Sequence, residues 1–215
     1  MPPSAPPPRP RGRPALPEED LRGKVVQAAT QILLSQGYAA ATMEAVARQA
    51  NVAKKTVYRF AANREELIAL ILRDWTAPFP LAFEAEAADA GAALRVLEDS
   101  LILIAGRVLT AEAVGLFRLL VNDLPEREAV LEIYTAAGID RSRALLAGWL
   151  SRHRARGVIT CPDPALAADL ILSMVIAEPL RQIAIRLTPP QPEWDIRPRV
   201  QAALSLLRLT AGAAP

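Results

Sequence analysis

The sequence is poor in the two residue types that most often bind metals or act as nucleophiles and bases. Its 215 residues include one cysteine, Cys161, and one histidine, His153. A lone cysteine excludes an internal disulfide and a cluster of cysteine ligands, and a lone histidine leaves no histidine-based metal site or catalytic triad. We therefore expect no metal and no cofactor, and a reducing cytoplasm fits this composition.

An enzyme is the alternative that these scarcities argue against. The sequence has no nucleophile–base pairing and no glycine-rich loop that would bind a phosphate. His153 stands in the basic run of residues 151–154, and that setting predicts a solvated helix residue rather than a catalytic one.

Long apolar runs and strand-like alternation are absent too. No apolar stretch is long enough to span a bilayer, and residues 1–20 lack the apolar centre of a targeting segment, so we expect a soluble protein without a membrane partner. No run of alternating β-branched residues occurs, whereas helix-period patterns continue to the C-terminus, which predicts an all-α fold. Beyond residue 89 the predicted helices cover about residues 90–109, 111–123, 125–156, 164–187 and 197–210. Pro179 should kink or split the fourth of these.

Lysine is scarce, and its distribution is informative. The three lysines, Lys24, Lys54 and Lys55, all lie in the first 64 residues, which hold ten basic against four acidic side chains, a net charge of +6. Residues 65–215 hold 15 basic against 19 acidic side chains, a net charge of −4. This segregation favours a polyanion as the partner of the N-terminal part.

Residues 42–64 predict two short helices joined by a tight turn. Thr42 can cap the first helix, whose apolar residues recur at helical spacing up to Ala50. Asn51 tolerates the left-handed backbone that such a turn requires, and a second helix follows up to Phe60. That second helix is cationic on one side, which suits the DNA major groove, although a basic face is often only a solvated one.

The helix before this pair completes a predicted three-helix head, and the helix after it leads to the body. The preceding helix begins at the acidic residues 18–20 and ends at Gly37, with a buried stripe formed by Val25, Ala29, Ile32 and Leu33. The helix after the turn runs from residue 65 to about residue 76, with Leu67, Leu70 and Ile71 facing inward, and would link the head to the rest of the chain.

Residues 21–72 resemble the DNA-binding head of the TetR family of bacterial transcriptional regulators. The matches at fixed spacing are Gly37-Tyr38, Thr42, Val46-Ala47, Ala50-Asn51-Val52-Ala53, Lys54, Thr56-Val57-Tyr58 and Arg64-Glu65-Glu66-Leu67. The chain departs from the family pattern at Asn51 in place of glycine, at Ala53 in place of a capping serine, and at Phe60-Ala61. Because of that last departure, the buried aromatic of the family is either absent or supplied by Phe60.

The resemblance implies roles for individual residues of the head. Lys54, Lys55 and Thr56 would lie near bases. Phosphates would be held by Thr42, Tyr58, Arg59 and Arg64.

Residues 1–17 are proline-rich and nearly free of large apolar side chains, which predicts a disordered basic arm. Within it Arg11, Gly12 and Arg13, flanked by prolines, resemble the core of an AT-hook, whose arginines lie in the narrow minor groove of A·T-rich DNA. The alternative is an incidental basic linker.

The body, residues 65–215, is less specific. Residues 111–160 are similar to the effector-binding body of part of the same family, which implies a small-molecule effector and a homodimer formed by the last two helices. Interface candidates are Leu166, Leu170, Met174, Ala177, Leu204 and Leu207. Pocket candidates are Trp75, Phe79, Phe83, Phe117, Asn122 and Trp149. Only 5% of the residues are aromatic, so any of these rings could instead belong to the core.

The sequence thus predicts three parts: the arm of residues 1–17, a helix-turn-helix domain of residues 18–64, and an effector-binding and dimerisation domain of residues 65–215. The predicted function is a homodimeric repressor that binds a palindromic double-stranded DNA operator and is released by a small lipophilic effector. A transcriptional activator and a sequence-tolerant structural DNA-binding protein without an effector are the alternatives.

Overall fold

The computed structural model describes residues 17–121, 127–206 and 210–211. The N-terminal helices are α1 (Glu18–Gln36), α2 (Met43–Gln49), α3 (Lys54–Phe60), α4 (Arg64–Thr76), α5 (Phe79–Ala82) and α6 (Ala90–Val108). The C-terminal helices are α7 (Ala111–Val121), α8 (Arg127–Tyr134), α9 (Arg141–Ala155), α10 (Pro164–Leu172), α11 (Glu178–Ala184) and α12 (Arg197–Leu206). Within these residues β1 (Ile159–Thr160) pairs with β2 (Thr210–Ala211), and an isolated bridge joins Thr110 to Gln191. All longer elements are helices, and the prediction of an all-α fold is confirmed.

Two helices expected to be continuous are each interrupted by a wider π turn. Residues Thr135–Asp140 form such a turn between α8 and α9, and Ser173–Ala177 form one between α10 and α11. The second turn ends immediately before Glu178–Pro179, where proline lacks the backbone N–H that an α-helix would use. The backbone stays α-helical at Leu172, Ala177 and Glu178, so the helix is widened before Pro179 and is not split there.

Helices α1, α2 and α3 form the head around one apolar cluster. The predicted stripe of α1 is buried, and Gly37 ends that helix with a φ of 85°. At the start of α2, the Thr42 side chain accepts a hydrogen bond from the N–H of Ala45 at 3.1 Å, as predicted for a cap. Asn51 has a φ of 53°, which is the left-handed conformation expected for the turn.

Helix α4 packs into the head and into the body together. The Asn63 side chain caps it by accepting from the N–H of Glu66 at 2.8 Å, and the Glu66 carboxylate in turn accepts from the N–H of Ala62 at 2.7 Å. Residues 67–72 are all buried, in contact with α1 on one side and with α6 and α8 on the other. Its buried leucine and isoleucine residues belong to the apolar cluster of the head, and the helix also contacts α6 of the body.

Helix α7 also joins head to body. Its Leu116 and Leu120, with Val130 of α8, belong to the apolar cluster of the head. Gly115 allows this close approach, because a Cβ atom there would lie 2.7 Å from Cδ2 of Leu34 on α1.

The body is built around α6. Leu97, Leu101 and Ile104 of this helix are almost fully buried among residues of α9, α10 and α12. No helix among the described residues has the length and apolar character needed to cross a membrane.

The prediction of a solvated His153 is wrong, because its side chain is fully buried. The N–H of Ala87 donates to Nε2 at 3.0 Å, so the ring proton lies on Nδ1 and is donated to the carbonyl of Trp149 at 2.9 Å. The ring stacks on Trp149, whose Nε1 donates to the carbonyl of Ala85 at 3.0 Å. These side chains hold the segment between α5 and α6 against α9.

We predict that His153→Ala lowers the free energy of unfolding by about 2–4 kcal/mol, since it leaves a cavity and an unpaired N–H at Ala87. Chemical denaturation monitored by circular dichroism measures the change. Arg154→Ala removes an exposed neighbour on the same helix and should change the free energy by less than about 0.5 kcal/mol. Equal effects of the two substitutions would contradict the structural role of His153.

Candidate functional site

Helix α3 is a short helix that buries one side chain. Val57 is fully buried, whereas Lys54, Lys55, Tyr58 and Arg59 are exposed. An open face of this length, cationic and held from behind by a single aliphatic residue, has the shape and charge of a helix that enters a DNA major groove.

The turn before α3 is stabilised by backbone hydrogen bonds rather than by a side-chain cap. The N–H of Val52 donates to the carbonyl of Ala47 at 3.0 Å, and Ala53 provides no cap, as the sequence indicated. At the end of α3, Ala61 is buried while Phe60 is partly buried against the cluster of the head. Alanine therefore occupies the inward position that follows α3, and Phe60 packs beside it.

Two of the cations on α3 have acidic neighbours in the head. Lys54 forms an ion pair with Glu44 of α2, and this hydrogen-bonded contact raises the pKa of Lys54 and lowers the pKa of Glu44. Arg59 Nε lies 3.8 Å from a carboxylate oxygen of Glu18. Lys55 makes no ion pair within the described residues and is the most available cation of the helix.

The predicted phosphate contacts at the flanks of α3 lie at the starts of helices. Thr42 uses its oxygen to cap α2, and its hydroxyl proton stays available for another acceptor. Arg64, the first residue of α4, has its guanidinium 5.2 Å from the centroid of the Tyr38 ring. The structure brings Thr42 and Arg64 to the two ends of the helix-turn-helix. Arg11, Gly12 and Arg13 lie outside the described residues.

The body contains an apolar cavity of about 270 Å³ between α4, α6, α7, α9 and the π turn that follows α10. Three of the predicted aromatics, Trp75, Phe79 and Phe117, line it. Its size lies close to the lower end of the roughly 300–1,000 Å³ typical of small-molecule sites. Its position between helices of one bundle is also typical of such sites.

Two predicted pocket residues lie away from this cavity. Phe83 and Trp149 are buried in the core of the body and do not line this cavity. Trp149 is fixed there by its hydrogen bond to Ala85 and by the stacked His153. Asn122 lies outside the described residues.

The sequence reasoning missed the polar residues of the cavity, among them Tyr134, Arg143 and Asp169. Burial raises the pKa of Tyr134, whose ring centroid is 6.4 Å from that of Phe117. Arg143 of α9 and Asp169 of α10 form an ion pair of 2.6 Å across the rim. The aromatic character of Tyr134 was a usable signal, but nothing in the sequence pairs residues 143 and 169.

A row of apolar side chains on α10 and the following turn is open to solvent. Leu166 and Leu170 are 54% and 40% exposed, and Met174 and Ala177 continue the row at helical spacing. Leu204, predicted to lie in the same interface, is instead buried in the core of its own chain. Leu207 lies outside the described residues.

Comparisons with known proteins agree with this geometry. The family of bacterial regulatory proteins called the tetR family matches residues 25–71, and the family called AefR-like transcriptional repressor, C-terminal domain, matches residues 96–208. The uncharacterized HTH-type transcriptional regulator YhgD of Bacillus subtilis (strain 168) is 46% identical over 48 residues, which are 22% of this chain and 25% of that protein. The aligned part thus spans only a quarter of that relative.

Solved structures share the fold over most of the chain. The Flavonoid-responsive Regulator FrrA is 25% identical with a TM-score of 0.64, over 88% of this chain and 96% of that one. The transcriptional regulator FadR from Bacillus subtilis, solved in complex with stearoyl-CoA, is 21% identical with a TM-score of 0.61, over 88% and 98%.

The two family matches fall on the two halves of the structure. One covers the helix-turn-helix and the first part of α4, and the other covers 113 of the 215 residues, from within α6 to beyond α12. The chain therefore belongs to the TetR family of bacterial transcriptional regulators, which bind DNA and are not enzymes.

Proposed function

We propose that this regulator is a homodimeric repressor that leaves a palindromic operator when a small lipophilic effector enters the cavity of the body. The observation on which the proposal rests is α3, whose exposed cationic face is backed by one buried residue, Val57. We assign DNA binding to residues 18–64, and effector binding and dimerisation to residues 65–215, with cytoplasmic DNA as the partner. Activation in place of repression is the nearest variant.

In this proposal α3 enters the major groove of one half-site. Lys55 and Thr56 lie near bases, and Lys54 joins them when phosphates compete with Glu44 for its ammonium group. Tyr58, Arg59, Arg64 and Thr42 hold the backbone. The geometry supports a primary role for Lys55, because it is the cation on this face without an acidic partner among the described residues.

The second copy is proposed to cover the exposed row on α10. Leu166 and Leu170 face solvent in the single chain, next to Met174 and Ala177. Contiguous apolar surface of this kind marks interfaces, and a two-fold arrangement would bury the same row on both copies. Two heads at a fixed separation would then read two half-sites.

The effector is proposed to act through α4. Trp75 and Thr76 near its C-terminal end line the cavity, whereas Arg64 begins its other end beside the helix-turn-helix. A ligand that favours one position of α4 therefore favours one separation of the two heads. The names of two similar folds mention a flavonoid response for FrrA and a complex with the fatty-acyl compound stearoyl-CoA for FadR, which supports an effector with a large lipophilic part.

The proposal is tested by selecting duplexes from a random pool and measuring their competition by unrelated DNA at moderate salt. A repressor should hold one palindromic sequence far more tightly than bulk DNA. A structural DNA-coating protein would show no such difference.

We predict that Lys55→Ala or Thr56→Ala weakens binding to the selected operator by about 1–3 kcal/mol and relaxes preference at one base pair. Tyr58→Phe should weaken all sequences alike. Fluorescence anisotropy on operator and random duplexes measures both effects. Arg107→Ala, which removes an exposed cation at the end of α6, is the matched control. Equal losses on the two duplexes for every α3 variant would contradict base reading.

We predict that Leu170→Asp makes the protein monomeric at micromolar concentration, because it places a charge within an apolar interface. Light scattering should report a dimer for the parent chain. Leu81→Asp, at a leucine of α5 that is 68% exposed, should leave the dimer intact. A monomeric parent would show that the row on α10 has another purpose.

For the arm, we predict that Arg11→Ala combined with Arg13→Ala lowers the slope of log affinity against log salt by roughly 2 per subunit. Any preference for A·T pairs beside the half-sites should disappear, while preference within each half-site survives because α3 is unchanged. Salt titrations on duplexes with A·T and G·C flanks measure both. A double variant that matches the parent in slope and flank preference would reduce the arm to a linker.

A further inference from the structure

The cavity of the body has aromatic walls and a single ion pair at its rim. Trp75, Phe79, Phe117 and Tyr134 supply the rings. Among the described residues of its lining, the charged side chains are Arg143 and Asp169, and both are about half exposed. Any charge on an effector must therefore be met by one of these two groups.

A second carboxylate, that of Asp140, determines whether Arg143 or Asp169 is available to bind a charged effector. Asp140 Oδ1 lies 3.7 Å from Nη1 of Arg143, one turn before it, while Asp169 Oδ1 lies 2.6 Å from Nη2. Two carboxylates thus share one guanidinium, and the local net charge is −1. Of these three charged groups, one carboxylate is in excess over the single guanidinium.

We infer that the effector of this cavity is a hydrophobic cation, an apolar amine whose ammonium group takes Asp169 from Arg143 while Arg143 turns to Asp140. The inference rests on the effector role proposed above and adds the chemical class of the ligand. After the exchange every charge still has a partner.

An anionic effector would bind more weakly than a cationic one at the Arg143–Asp169 pair. If it took Arg143, then Asp169 and Asp140 would both lose their counter-charge and would remain near a third negative group. Half-exposed ion pairs contribute only about 0–1 kcal/mol, so exchanging Arg143 for an ammonium group at Asp169 costs little.

The aromatic side chains that line the cavity also favour a cation. The rings of Phe117 and Tyr134 lie 6.4 Å apart at an interplanar angle of 42°, and ring faces attract positive charge most strongly where water is excluded. Because burial raises the pKa of Tyr134, its hydroxyl stays neutral and its oxygen can accept a hydrogen bond from an ammonium group.

The exchange would also alter the link between helices. The Arg143–Asp169 pair bridges α9 to α10, and α10 presents Leu166 and Leu170 on its exposed face. Loss of this bridge removes one polar contact between α9 and α10. A cation in the cavity thereby acts on the same helix that is proposed to meet the second copy.

Three probes of matched shape test the charge preference on the full chain: 4-phenylbutylamine, 4-phenylbutanol and 4-phenylbutyrate, which are cationic, neutral and anionic at neutral pH. Thermal shift and calorimetric titration give their dissociation constants. We expect the amine to bind about tenfold more tightly than the alcohol, and the butyrate to bind more weakly than the alcohol.

Two variants should move the affinity for the amine in opposite directions. Asp169→Asn should remove the preference for the amine over the alcohol and change the dissociation constant of the alcohol by less than about twofold. Arg143→Gln should lower the dissociation constant of the amine by about threefold, because Asp169 is then unpaired. Glu132→Gln makes the same charge change as Asp169→Asn at an exposed residue of α8 outside the lining, and should alter none of the three. Selective operator binding by each variant verifies that it is folded.

Equal binding of the three probes, survival of the amine preference in Asp169→Asn, or no binding at millimolar concentration would each overturn the inference. The proposal that the protein is a repressor is contradicted by a different result, namely that no DNA duplex is bound selectively. The first set of outcomes leaves that DNA result untouched, so the two failures are distinguishable.

Discussion

The structure depends on the burial of α4 on all sides. Six consecutive residues, 67–72, are buried between the head and the body, and the helix is capped at its start by Asn63 and Glu66. A helix that is apolar around its whole circumference has no solvent face along which it can slide. At about 25 cal/mol per Å² of apolar surface removed from water, exposing even two such leucines would cost several kcal/mol. Helix α4 therefore moves only together with both of its neighbours.

Helix α3, in contrast to α4, is mostly exposed. It buries Val57 alone, has no side-chain cap at Ala53, and places Lys54 and Lys55 in its first turn, where the helix dipole disfavours positive charge. The pair between Lys54 and Glu44 offsets part of that repulsion in the free protein. Local stability is low wherever a surface is reserved for a partner, and here the exposed cations suit a polyanion.

The sequence was most informative where structure is set by local rules. Thr42 and Asn51 occupy their predicted conformations because a cap and a left-handed turn depend on a few neighbouring atoms. His153 was misjudged because its basic neighbours outweighed its spacing, although it lies three and four residues after Leu150 and Trp149 on their buried face. The spacing was the better guide.

The candidate cavity was predictable only in part, for a physical reason. Trp75 and Phe117 were found because large rings must be buried somewhere, and α4 and α7 meet at this place. Whether a ring lines a cavity or fills a core depends on how helices cross, and Phe83 shows that composition cannot distinguish the two outcomes. The pairing of Arg143 with Asp169 arises from contact between two helices, which no periodicity within either helix encodes.

Helix α4 also explains how a ligand in the body could reach a DNA-binding helix without an intervening chain of small shifts. The helix has 13 residues and a length of roughly 20 Å, with Thr76 at the cavity and Arg64 at the head. At the head end, the Tyr38 hydroxyl donates to Glu65 at 2.6 Å, which fixes the start of α4 to the loop after α1. Because the interior between these ends is close-packed, the helix responds as a rigid body. Under the proposed function, a displacement at Thr76 would reach the loop that positions α2 and α3, and the two heads of the proposed dimer would change their separation.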